Sequence, residues 1–361
     1  MNNPKRETLK ILIRPFLMLV FLKLTMQVMT GQTFKLPNPP FDTTYYESYT
    51  EELTSRAYSS VKFLNFGLIN GQEGTTLRYN TNHKFILGLG VNYSIFGLNI
   101  GLNFPFVNHD DDKYGPSHYL DLQSHIYARR YNIDLYLQNY EGYYVANPDK
   151  VFSGWPASDT FPKSTDMNTM SVGFNVQYMF NYKRFSFKAA FNQNEWQKKS
   201  AGSFVVGTNF LYMISSGDSS LIPVNIHPPD GFDGITFKRS DILNTGVSGG
   251  YYYTLVIASH AFISAGLAAG PSAGLSWLDV NDKQVERKSG LTIGLNGVFR
   301  AAAGYNSRRF FVGVSFFQQL VLNQIPGDKT WEYFHTGNLR FNIAYRFTLN
   351  KPIKFFNPRY W

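Results

Sequence analysis

Apolar and polar residues alternate along most of this chain. From Leu120 every second residue is Leu122, Ser124, Ile126 and Ala128, with Tyr119, Asp121, Gln123, His125 and Tyr127 between them. After the corner Ala128-Arg129-Arg130-Tyr131-Asn132 the pattern resumes, with Ile133, Leu135 and Leu137 against Asp134, Tyr136 and Gln138. Successive side chains of a strand point to opposite faces of a sheet, so each run predicts a two-faced strand and the pair predicts a hairpin. The same reading gives Phe85–Tyr93 returning as Leu98–Phe104, then Met170–Phe180 returning as Phe185–Phe191. Further strands are expected over Leu291–Asn296 and Leu339–Phe347.

These runs are about 9–13 residues long, which matches the roughly 9–11 residues that carry a tilted strand across a bilayer. Their second face is Gly, Ser, Asn, Gln, Lys and Arg. Aromatic clusters at Tyr143-Tyr144, Tyr251–Tyr253 and Trp331–Phe334 stand where an interfacial girdle would lie. The expected fold is all-β: one antiparallel transmembrane β-barrel of about 12–14 strands, with the apolar face toward lipid and the polar face lining a lumen. Short corners alternate with longer connections near 107–117, 145–167, 215–240, 277–288 and 321–335. Within 215–240, Leu221–His227 is either a strand or a loop.

Composition agrees. Aromatic residues make up 17% of the 361, yet mean hydropathy is only −0.23, as two-faced strands require. With no cysteine, disulfides, thiolate metal sites, a cysteine nucleophile and a lipoprotein anchor are excluded. Residues 1–31 begin basic, continue as the apolar run Phe16–Leu22 and end near the small residues Thr30-Gly31, the pattern of a cleaved signal peptide. This leader holds five basic residues against Glu7, four of the nine net positive charges. The remainder is too scattered for a nucleic-acid surface. The expected organisation is a signal peptide (1–31), an N-terminal periplasmic segment (32–53), the barrel (54–349) and a C-terminal tail (350–361).

Few residues suggest chemistry. Gly270-Pro-Ser-Ala-Gly274 matches G-x-S-x-G, but that motif needs a strand-to-helix turn, and here it follows an alternating strand with no helical pattern after it. His109–Lys113 carries three consecutive Asp without the spacing of a calcium loop. No metal site or cofactor is expected. His125, Asp121 and Asp134 can meet across the hairpin as a polar network, and Lys188, Arg300, Arg340 and Arg346 share the inward face of their strands. These seven are the candidate lumen residues; their ordinary role would be to balance one another, and an excess of base would favour anionic solutes. The basic pairs Arg129-Arg130, Lys183-Arg184 and Arg308-Arg309 lie in or beside tight corners, either as solvated turn charges or as contacts to anionic headgroups.

The stretches FDTTYYESYTEELTSRAY, TLRYNTNHKFILGLGVNY, YLDLQSHIYARRYNIDLYLQNYEGYYV and SGDSSLIP occur in that order. Over residues 41–349 the chain resembles an uncharacterised family of Gram-negative envelope proteins, catalogued as a domain of unknown function and thought to form outer-membrane-type barrels. The resemblance implies location and fold and supplies no catalytic residues. The expectation is a non-enzymatic outer-membrane protein, acting as a pore or as a scaffold for an envelope protein or glycan held by its loops. Its other partners would be outer-membrane lipid and the barrel-insertion machinery. The alternatives are an outer-membrane hydrolase of the phospholipase kind, recruiting Ser272 or the His125 cluster, and a secreted soluble β-protein that binds glycans.

Overall fold

The computed structural model describes residues 39–350, except 83–84, 95, 104–109, 154, 156–160, 219–220, 222–236, 281–285 and 327–328. The leader, His109, most of Leu221–His227 and the tail beyond residue 350 lie outside the described residues.

Among the described residues thirteen strands share one antiparallel sheet, within the range expected from the sequence, and ten of them close a ring. In chain order the ring consists of β2 (Leu53–Asn70), β3 (Thr76–Thr81), β7 (Tyr131–Val145), β8 (Lys163–Met179) and β10 (Ala201–Ser216). It continues through β11 (Phe237–Ile257), β12 (Ala261–Val280), β13 (Glu286–Asn306), β14 (Phe310–Gln324) and β15 (Thr330–Phe347). The last strand pairs with the first from Thr330↔Asn70 to Phe347↔Leu53, which removes the edges an open sheet would expose. Three more strands, β4 (Phe85–Tyr93), β5 (Phe96–Asn103) and β6 (His118–Tyr127), lie beside β3 in the wall between β2 and β7.

The outward face is apolar. Leu291 is 85% exposed, Leu89 70% and Phe204 68%, and they belong to a belt of exposed Leu, Ile, Val and Phe around the sheet. Such a surface is intolerable in water but suits the hydrocarbon of a bilayer. Of the aromatic clusters, Tyr251, Tyr253, Trp331 and Tyr333 face outward, whereas Tyr143, Tyr252 and Phe334 turn into the interior and leave the girdle.

The inward face departs from a uniformly polar lumen. Along β2 it runs Thr54, Arg56, Tyr58, Ser60 and Lys62, then changes to Leu64, Phe66 and Leu68. The same change occurs on β10, where Asn209 gives way to Leu211 and Met213. Every ring strand except β13 contributes to the resulting apolar core, which fills the lumen at the end carrying the longer loops. Its residues are dry, with Leu64, Phe66, Leu68 and Leu77 at 0% exposure.

The opposite, short-turn end is also filled. Phe185–Phe191 is not a strand: β8 instead pairs with β10, and the chain between them turns into the lumen as helix α1 (Phe187–Phe191) and strand β9 (Glu195–Gln197). Ser186 caps α1 by accepting from the Ala189 N–H, which holds the helical turn in place of extended pairing. The N-terminal segment docks there too, as β1 (Tyr46–Ser48) antiparallel to β9. Inward residues of β6, β8, β10, β11 and β12 pack against this plug, as do residues of β13, β14 and β15.

Candidate functional site

Polar side chains tie the plug to the ring. Arg346 of β15 donates from Nε to the Gln193 carbonyl at 2.8 Å and from Nη2 to Asn306 Oδ1 at 2.8 Å. Arg56 of β2 donates to Gln193 Oε1 at 2.7 Å, and Asn92 of β4 to the Asn192 carbonyl at 2.6 Å. Within the plug, Lys188 and Glu195 form a buried ion pair at 3.0 Å. Two sequence candidates thus serve plug docking: Arg346 from the barrel wall, and Lys188 from a helix rather than from a strand face. The basic corner pairs close over the same end. The Arg129 guanidinium lies 4.1 Å from the Phe41 ring, Arg130 4.6 Å from Tyr182 and Arg184 5.1 Å from Tyr45, cation–π contacts that clamp the N-terminal segment and plug.

Between the plug and the apolar core lies a polar layer. His125 and Asp134 are direct cross-strand partners of the β6–β7 hairpin, so their side chains share the inward face, with Nδ1 and Oδ1 2.7 Å apart. A carboxylate can only accept, so the imidazole donates. Arg300 of β13 reaches across the lumen and donates to Asp134 Oδ2 at 2.6 Å, and Tyr127 adds its hydroxyl to Oδ1 at 3.3 Å. The Arg300 guanidinium also rests 4.4 Å from the Phe317 ring. Asp121 is matched separately: Lys62 Nζ at 2.7 Å, the Tyr140 hydroxyl at 2.9 Å, Gln123 at 3.0 Å and Gln138 at 3.2 Å all donate to it. Four of the sequence candidates, Asp121, His125, Asp134 and Arg300, thus form ion pairs or hydrogen-bonded networks in this layer.

Arg340 is different. Among the described residues it has no carboxylate partner and no hydrogen-bond acceptor, its Nε is buried, and its one specific contact is the Tyr58 ring at 4.7 Å. A cation–π contact is worth about 0.5–2 kcal/mol, whereas withdrawing an ion from water costs several kcal/mol. Arg340 is half-buried, so only part of that cost falls on it, but no acceptor among the described residues meets its charge, and it gains from an anion or water. It faces a cavity of about 500 Å³ walled by Tyr58, Lys62, Asn99, Asp121, His125 and Arg340. A smaller cavity of about 70 Å³ continues past Arg300 and Arg56 to Phe191 and Asn192 of the plug. On the outer surface beside Arg340, Leu339 and Phe341 are exposed, so the chamber lies within the lipid-facing belt.

One wall of the chamber lacks a continuous ladder among the described residues, where β5 pairs only with β4, and β6 only with β7. Among the described residues no ladder joins β5 to β6, although both contribute chamber-lining residues, Asn99 and Gly101 from one and Asp121 to His125 from the other. Sequence patterning missed this seam because a strand looks the same whether its neighbour is present or not. It also missed Tyr58, Lys62 and Arg56, which lie in the less regular stretch LTSRAYSSVKFLNFGLIN.

Of the two recruits of the hydrolase expectation, the His125 cluster is the hydrogen-bonded network described above, and Ser272 has no His or carboxylate partner among the described residues. Ser272 lies inside β12 with Oγ accepting from Asn244 at 3.0 Å. His260 is in the turn that precedes this strand, roughly 40 Å away at 3.3 Å per residue, where it stacks on Trp196 and Tyr305. Asp110 and Asp111 accept from the Asn82 amide at 3.0 and 2.8 Å, and no metal-binding group of His, Asp and Glu occurs among the described residues.

No functionally curated protein matches the chain. Among solved structures, a mutant of the monoaromatic hydrocarbon channel TodX shares 6% identity at a TM-score of 0.31, covering 82% of this chain and 90% of its own. The Pseudomonas putida toluene transporter TodX shares 7% at 0.21, over 83% and 91%. The Vibrio cholerae outer-membrane protein OmpT shares 9% at 0.23, over 82% and 98%. The family model described as domain of unknown function DUF4421 matches residues 40–347. That match takes in the whole barrel and the docked N-terminal segment, and the chain belongs to the DUF4421 family.

Proposed function

We propose that this protein is a non-enzymatic component of the Gram-negative outer membrane, a barrel closed to free diffusion that holds a small ligand in its central chamber. One observation carries this reading: the lumen is filled by an apolar core at one end and a docked plug at the other, with a polar cavity between. A general porin needs a continuous aqueous path, whereas a ten-strand ring is narrow enough for side chains and one inserted segment to fill it. The short-turn end, by the habit of outer-membrane barrels, faces the periplasm, so the plug sits on the periplasmic side.

The test is single-channel recording from the chain refolded into planar bilayers. The expected result is stable insertion without sustained conductance, while a variant with Arg346→Ala and Arg56→Ala, which loosens the plug, shows intermittent openings. Steady ohmic steps from the unaltered protein would overturn the proposal.

A further inference from the structure

The chamber has a cation in want of an anion and, between β5 and β6, a seam without a ladder among the described residues that lies within the lipid belt. We infer that it binds the head group of a singly or doubly charged anionic amphiphile, a carboxylate or phosphate monoester, which enters from the bilayer between β5 and β6. This rests on the closed-lumen reading, since a through-pore would supply the same site from water.

Charge supports the head group. On the chamber wall Lys62 is matched by Asp121, and behind it Arg300 is matched by Asp134, which leaves Arg340 over the Tyr58 ring without a counter-ion among the described residues. The planar guanidinium presents forked donors suited to a carboxylate or phosphate, and Lys62 stands on the same wall. About 500 Å³ falls within the range of small-ligand sites.

The route supports the tail. On the outer side of the seam Leu98, Ile100 and Leu102 are 60–62% exposed, and Leu120 of β6 is 45% exposed. An alkyl chain leaving the chamber there would lie on lipid-facing side chains. Every second residue of a strand directs its N–H and C=O to the same neighbour. The facing edges of β5 and β6 therefore present backbone groups that have no ladder to each other, at a depth where hydrocarbon cannot satisfy them. A wet chamber behind the seam, or the oxygens of a bound head group, supplies those partners.

The experiment measures binding to the full chain in non-ionic detergent by titration calorimetry, with four probes: dodecyl phosphate, dodecanoate, dodecanol and inorganic phosphate. The expected result is one site for dodecyl phosphate or dodecanoate, at least tenfold tighter than for dodecanol or inorganic phosphate. Arg340→Gln should weaken that site at least tenfold and Arg340→Lys by less, with heat-modifiable gel mobility confirming that both variants fold. If inorganic phosphate binds as tightly as dodecyl phosphate, the ligand is a free anion and the lipid route is wrong. Equal binding of dodecanol would make the site apolar and refute the role of Arg340. Absence of binding by all four refutes the inference while leaving the closed lumen intact, because conductance tests that separately.

Discussion

Asp134 is the residue whose removal should disturb the polar layer most. Its carboxylate accepts from Arg300 at 2.6 Å, from His125 at 2.7 Å and from Tyr127 at 3.3 Å, and the Asp134 and Arg300 side chains are 6% and 4% exposed. Asp134→Ala strands the Arg300 guanidinium in a nearly dry site, left with the Tyr127 hydroxyl at 3.2 Å and the Phe317, Phe187 and Tyr127 rings, none of which carries a charge. Breaking a buried pair from one side costs about 3–5 kcal/mol, because the surviving charge loses its compensation. Removing both charges is far milder, so Asp134→Ala with Arg300→Met should recover most of the loss. The assay is guanidinium unfolding of protein refolded into phospholipid vesicles, followed by tryptophan fluorescence and by heat-modifiable gel mobility. A double-mutant cycle then isolates the pair from His125 and Tyr127. A single-mutant cost below about 1 kcal/mol, or a double mutant less stable than Asp134→Ala alone, would refute the reasoning.

Other expectations can be measured in the same system. Phe66→Ala, which opens a void in the dry core, should cost about 3–5 kcal/mol, whereas Leu291→Ala on the lipid face should cost clearly less, since it leaves no internal cavity. Gly142 has φ +85°, and a Cβ there would lie 2.2 Å from the Pro116 carbonyl oxygen, so Gly142→Ala should lower stability by about 1–3 kcal/mol and loosen the β7 bulge. The Glu47 carboxyl accepts from Lys198 at 2.8 Å and from the Tyr49 hydroxyl at 2.6 Å, and these bonds hold it below the ordinary glutamate value. A lowered native value contributes stability above the unfolded-state value, lost as pH falls through the native one. Limited proteolysis of the N-terminal segment should therefore increase below about pH 4, and Glu47→Gln should remove that pH dependence.

Much of the wall was legible in the sequence, for a physical reason. Lipid on one side and polar neighbours on the other impose period-2 alternation, and Phe85–Tyr93, Leu120–Tyr127 and Leu339–Phe347 show it with a single exception each, Ile86, Ser124 and Ala344. The interior was less legible, because patterning records which face a residue occupies and not what lies opposite. Phe185–Phe191 alternates like a strand, yet its apolar residues meet the inner wall through a capped helix. The apolar core did leave a trace: in Phe210–Ile214 alternation fails because both faces are apolar, one toward lipid and one toward the core. Candidate residues such as Arg300 and Asp134 were visible as inward charges, but their pairing across the lumen depends on ring closure, which no local pattern encodes. The seam between β5 and β6 is likewise a property of topology.

The most direct test of the central claim uses the absence of cysteine in this chain. A single cysteine in place of Gln123, on the chamber wall, can be probed in vesicles with a charged, membrane-impermeant thiol reagent and with a lipid-soluble one. A lumen closed at both ends with a chamber open to the bilayer predicts rapid labelling by the lipid-soluble reagent and very slow labelling by the charged reagent from either side. Rapid labelling by the charged reagent would contradict it, and would mean that the barrel is an aqueous pore.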